Sequence, residues 1–118
     1  MREAMVAMSA AGIVPARVGR VHPRIAPVVL DLPNWLFRIV AASMLKIDAQ
    51  ARSSMAEDLE AGRKPEIGYL NGEIVRLGES TGTPTPVNTG LTELVMQAFS
   101  QGTSPRLSGG ELAARLGL

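Results

Sequence analysis

Residues 53–72, SSMAEDLEAGRKPEIGYLNG, contain a helix end, a turn and a helix start within twenty positions. Apolar Met55 and Leu59 stand one turn apart. Gly62 is a suitable helix stop and Pro65 blocks any continuation, so a helix ends here. Glu66 opens the next helix, where the positive end of the helix dipole favours a carboxylate. The stretch therefore predicts two helices joined by a tight turn, with Ser54 before it and Glu66 after it. Two readings of these polar residues stand side by side. In one, Ser54 is a small packing residue, Glu57 and Asp58 are solvated, and Glu66 satisfies a helix terminus. In the other, Ser54 and Glu66 present polar groups to a ligand.

The periodicity extends outward from this turn. Upstream, Leu36, Val40, Met44, Ile47, Ala51, Met55 and Leu59 recur in steps of three or four. That spacing predicts one long helix over Trp35–Ala61, with Asn34 as N-cap. Downstream, Ile67, Leu70, Ile74 and Leu77 mark a helix over Glu66–Thr81, stopped by Gly82. The two are expected to pack antiparallel. Gly72 and Gly78 inside the second helix each cost roughly 1 kcal/mol of propensity, which suggests close packing against a neighbouring helix. TPTP (83–86) reads as a stiff link, after which Asn88 or Thr89 caps a helix to about Ser100. Ser108 and Glu111 have the spacing of a capping box before a short terminal helix. A short amphipathic helix is predicted at the N-terminus, and a helical piece around Ala26–Leu30. The expected fold class is an all-α helical bundle.

Composition narrows the function. The chain has 118 residues, enough for one ordinary domain. Hydrophobic residues make up 46% and aromatic ones only 3%, so the core is aliphatic. A net charge of +1 argues against nucleic-acid binding. The lack of cysteine excludes disulfides and thiolate chemistry. Arg2 followed by an apolar run has the outline of a signal peptide, but Glu3 lies in its would-be basic region. No run reaches the ~18 apolar residues of a membrane span. The expected location is the cytoplasm. No G-x-G-x-x-G or P-loop is present. His22 stands alone and reads as a loop residue, and Trp35 and Met44 read as core.

Residues 51–95 resemble the C-terminal domain of the ketopantoate reductase (2-dehydropantoate 2-reductase) family. The resemblance rests on Ser53-Ser54-Met55, Asp58-Leu59, Gly62-Arg63, Glu66-Ile67, Leu70-Asn71-Gly72 and Pro86-Val87-Asn88, all in order. The chain is thus read as a single such domain over 1–118, matching most strongly over 35–99. The implied fold is the helical substrate domain shared with 6-phosphogluconate dehydrogenase-like proteins. The implied chemistry is NADPH-dependent reduction of a small 2-keto acid in pantothenate biosynthesis, with Ser54 and Glu66 as substrate contacts. The family's N-terminal Rossmann domain, which holds NADPH, is expected to be absent here. So is its general-acid lysine, because Lys46 and Lys64 stand in other contexts. Pro65 and Gly68 replace a Thr and an Asp that are common in the family.

These features imply a substrate-side domain that is inactive alone and is completed by a Rossmann-domain partner. The competing reading is a non-catalytic helical oligomerisation or interaction domain on the same scaffold. A third is a small-molecule binder with an anion site near Arg63 and Lys64. Self-association is expected in either of the first two readings, and neither nucleic acid nor membrane is an expected partner.

Overall fold

The computed structural model describes residues 1–16, 23, 25–41 and 54–118. These form seven helices: α1 (Arg2–Ala10), α2 (Ala26–Leu30), α3 (Asn34–Ala41), α4 (Ser54–Glu60), α5 (Ile67–Thr81), α6 (Pro86–Gln101) and α7 (Gly109–Arg115). No strand occurs among the described residues, so the all-α expectation holds.

One local device closes five of these helices. After α4, Gly62 adopts φ +65°. Its N–H donates to Leu59 C=O, and the Arg63 N–H donates to Asp58 C=O. That pair of bonds is the Schellman motif, which uses up carbonyls the helix end would leave bare. Gly12, Gly82, Gly102 and Gly117 repeat the pattern after α1, α5, α6 and α7. The chain is therefore cut into helices by local chemistry before any tertiary contact is considered.

α5 is central and packs chiefly on α6 and α1. Ile67, Ala98 and Ala7, one from each of these helices, are its buried apolar residues. The anticipated antiparallel pairing with the 35–61 segment is not among the main contacts of the described residues. Of that segment the structure describes α3 and α4; Met44, Lys46 and the rest of 42–53 lie outside the described residues, as does His22.

Several sequence expectations are corrected. Asn34 is not a cap but already helical, since Leu36 and Phe37 N–H donate back to Pro33 C=O. The N-cap of α6 is Thr85, not Asn88 or Thr89, because Pro86 is well suited to the first helical position. Trp35 is 67% exposed and Leu70 55% exposed, so neither belongs to the core of this chain.

Gly78 is buried, but its neighbour is not a helix. A Cβ there would lie 2.6 Å from Thr83 O and 2.7 Å from Thr85 Cγ2. The 83–85 link folds back against α5, and the Thr81 hydroxyl donates to Leu77 C=O while lying 3.0 Å from the Thr83 hydroxyl. Gly78 thus sets how sharply α5 can turn into α6. Gly68, in contrast, has open space around its Cβ direction. We expect Gly78→Ala to destabilise the domain by about 1–3 kcal/mol through overpacking. Gly68→Ala should leave stability unchanged or raise it by up to about 1 kcal/mol. Urea unfolding of the two variants checks both signs.

Candidate functional site

Ser54 and Glu66 stand on opposite sides of the turn between α4 and α5. Ser54 is the first described residue of α4, about two turns before its end, and is exposed. Glu66 is the N-cap of α5 and is also exposed. Its C=O accepts from the Tyr69 and Leu70 N–H groups. Its side chain makes no cap hydrogen bond, so its carboxylate meets the helix terminus through its charge and not through a bond.

Their motif neighbours behave differently. The Asp58 carboxylate accepts from Arg63 Nε at 2.6 Å, across the Schellman turn. Asp58 is therefore paired rather than simply solvated, and Arg63 is committed to it. That engagement weakens the anion-site reading at Arg63 and Lys64. The family's Gly-Arg turn is, in this chain, a helix stop locked by an ion pair.

The remaining motif residues build a polar network at the centre of the bundle. Asn88 is buried. Its amide Oδ1 accepts from Asn71 Nδ2 at 2.9 Å, and its Nδ2 donates to Glu3 Oε2 at 2.6 Å. Glu3 also accepts from the Val87 and Asn88 backbone N–H groups at 2.8 and 2.9 Å. A carboxylate on α1 thus caps the N-terminus of α6, where the dipole and the unpaired N–H groups favour it. Desolvation pushes the Glu3 carboxyl upward, but these hydrogen bonds together outweigh it and hold the group below the usual glutamate range. No local pattern could have shown this role, because the partners stand 84 and 85 positions apart.

The arrangement bears on anion and cofactor binding. The two longest helices have N-termini that could otherwise cradle phosphate. One already holds the Glu3 carboxylate, and the other begins at Glu66. The described residues contain no cluster of acidic or histidine side chains able to hold a metal ion.

A helical domain whose motif residues divide between a buried network and an exposed turn is what the fold and site define. The sequence profile described as "Ketopantoate reductase PanE/ApbA C terminal" matches residues 1–98. The chain belongs to this family, as a ketopantoate reductase C-terminal domain. It is 44% identical over 50 residues to 2-dehydropantoate 2-reductase of Archaeoglobus fulgidus, covering 42% of this chain and 17% of that protein. It is 47% identical over 47 residues to the protein of that name from Pyrobaculum aerophilum, covering 40% and 17%. A third, from Shigella flexneri, is 34% identical over 71 residues, covering 60% and 22%. The chain thus matches about a fifth of the length of these relatives. No solved structure matches it. No helix among the described residues is long and apolar enough to cross a membrane.

The cap predicts a pH dependence. A carboxyl whose folded pKa is depressed adds stability above its unfolded value, about 4.3 for glutamate, and loses it as pH falls through the folded value. Glu3→Gln replaces one acceptor oxygen by a donor that faces N–H groups. We expect it to cost about 1 kcal/mol near neutral pH. The difference from wild type should begin to shrink as pH falls below the ordinary glutamate value of about 4.3 and should close as Glu3 protonates at its lower folded value. Thermal unfolding of both proteins across this range checks the sign.

Proposed function

We propose that this chain forms the substrate-side wall of a ketopantoate reductase-like active site, with Ser54 and Glu66 as the substrate contacts. The supporting observation is how the motif residues divide. Gly62 stops a helix, and Asp58 and Arg63 pair across that stop. Asn71 and Asn88 join three helices, and Gly72 is buried. Ser54 and Glu66 belong to the same motif, yet both side chains are exposed and Glu66 makes no cap bond. Polar side chains that the fold does not use are the ones available for a ligand.

A hydroxyl and a carboxylate on opposite sides of one turn suit a small hydroxylated keto acid. The Ser54 hydroxyl can donate to or accept from the substrate, and the Glu66 carboxylate can accept from a substrate hydroxyl. Together they fix its orientation, which is where positioning contributes to rate. They neither deliver nor remove a proton in this reading. The cofactor is assigned to a separate Rossmann domain, because this sequence contains no G-x-G-x-x-G or P-loop. The exposed apolar side chains of α2 and α3, among them Val28, Trp35 and Ile39, support a packing partner for this domain. By itself the chain is expected to be inactive, and its setting in the cell is expected to be the cytoplasm.

The test joins the chain to the part of the Archaeoglobus fulgidus relative that precedes its matched segment, and measures NADPH-dependent reduction of ketopantoate. Ser54→Ala and Glu66→Gln should each lower kcat/KM by about tenfold or more, the scale of one lost charged or polar contact. Their thermal stability should stay near that of the parent fusion. Activity that neither substitution alters would remove both residues from the site. Fluorescence titration of the chain alone with NADPH should show no saturable binding in the micromolar range, roughly the affinity a dinucleotide fold provides.

A further inference from the structure

A concave surface lies between α4, α6 and the segment that leads into α7. It is an open depression of about 300 Å³, and its walls include Met55 and Leu59 of α4, Leu94 and Ala98 of α6, and Leu107 and Leu112 of the C-terminal segment. Its polar lining is sparse: Ser104 and Arg106 stand at the edge. A mainly apolar concavity with few polar groups at one point is the usual form of a small-ligand site. At about 30 Å³ per small heavy group, it holds roughly ten non-hydrogen atoms.

Arg106 gives the groove its charge. It is exposed, and its guanidinium takes no part in the ion pairs among the described residues. Its backbone is unusual, since it is the sole non-glycine residue at positive φ among those described, at +49°. A long side chain in that region is strained relative to glycine. The local turn gains one weak bond, from Arg106 N–H to Ser104 Oγ at 3.3 Å. That bond needs no guanidinium, so the turn itself does not explain the arginine. Glu60 lines the adjoining depression together with Arg106 and is engaged in an interaction of its own. The wall from Ser104 to Leu112 lies beyond the family match at residues 1–98. Neither Ser54 nor Glu66 is among the residues that line the groove.

We propose that this groove binds an aliphatic monocarboxylate of about eight carbons, with the chain between α4 and α6 and the carboxylate on Arg106. The experiment titrates the full chain with octanoate and with 1-octanol, following methyl NMR signals of Met55, Leu94, Leu107 and Leu112 and measuring affinity by calorimetry. Octanoate should shift these methyls and bind about tenfold more tightly than octanol, as a charge-assisted contact implies. Arg106→Gln should bring octanoate down to the level of octanol. Arg106→Gly should do the same while raising Tm, because it relieves the backbone. Opposite signs for binding and stability would not arise from an arginine that only shapes the turn. Absence of methyl shifts at roughly millimolar octanoate, or equal octanoate affinity in wild type and Arg106→Gln, would overturn the proposal.

Discussion

The Glu3 carboxylate at the N-terminus of α6 is the contact on which the arrangement of the bundle turns. It accepts three hydrogen bonds, two from backbone N–H groups and one from the Asn88 amide. The same Asn88 accepts from Asn71. One buried amide thus ties α1, α5 and α6 together, with both ends of its dipole satisfied. Asn88 is 6% exposed, and an unpaired amide there would carry the full penalty of desolvation. Buried polar groups of this kind specify geometry more sharply than aliphatic contacts, because only one alignment of the helices pairs them all. The apolar core is made of small or medium side chains such as Ala7, Ala98 and Ile67, and it specifies the alignment less closely.

The network also explains why so much of the motif is not available for chemistry. Seen on a sequence, Asn71, Asn88, Asp58 and Arg63 are as polar as Ser54 and Glu66. In the folded chain the first pair holds helices together and the second locks a helix stop. Gly78 belongs to the same structural set: it lets the 83–85 link approach α5, so that α6 starts where Glu3 can reach it. Fold and site are interleaved within forty residues, and side-chain engagement is what separates them.

The electrostatics are consistent with that division. Glutamate stands at the N-terminal end of both long helices, in two different ways. Glu3 reaches α6 from another helix and is spent on its N–H groups. Glu66 caps α5 with its carbonyl and leaves its carboxylate outside. The same dipole therefore stabilises the fold through the first and leaves the second to face whatever occupies the turn.

The helix content and the stops were legible in the sequence because they are local. Gly82 ended α5 and Ser108 with Glu111 capped α7 as their spacing indicates, since each device closes within five residues. The motif around Ser54 and Glu66 was equally legible, and it led to the family that the profile match gives. Helix starts were less so: Asn34 and Asn88 are good caps in isolation, but Pro33 and Thr85 with Pro86 take the boundaries. Tertiary structure alone decided that Glu3 is a cap, that Asn88 is a buried bridge, that Trp35 and Leu70 face outward, and that α5 leans on α1 and α6. The physical reason is range. Dihedral preference and capping act within a turn of helix, whereas the pairing of a carboxylate with N–H groups 84 and 85 positions away exists only once the chain has folded back on itself.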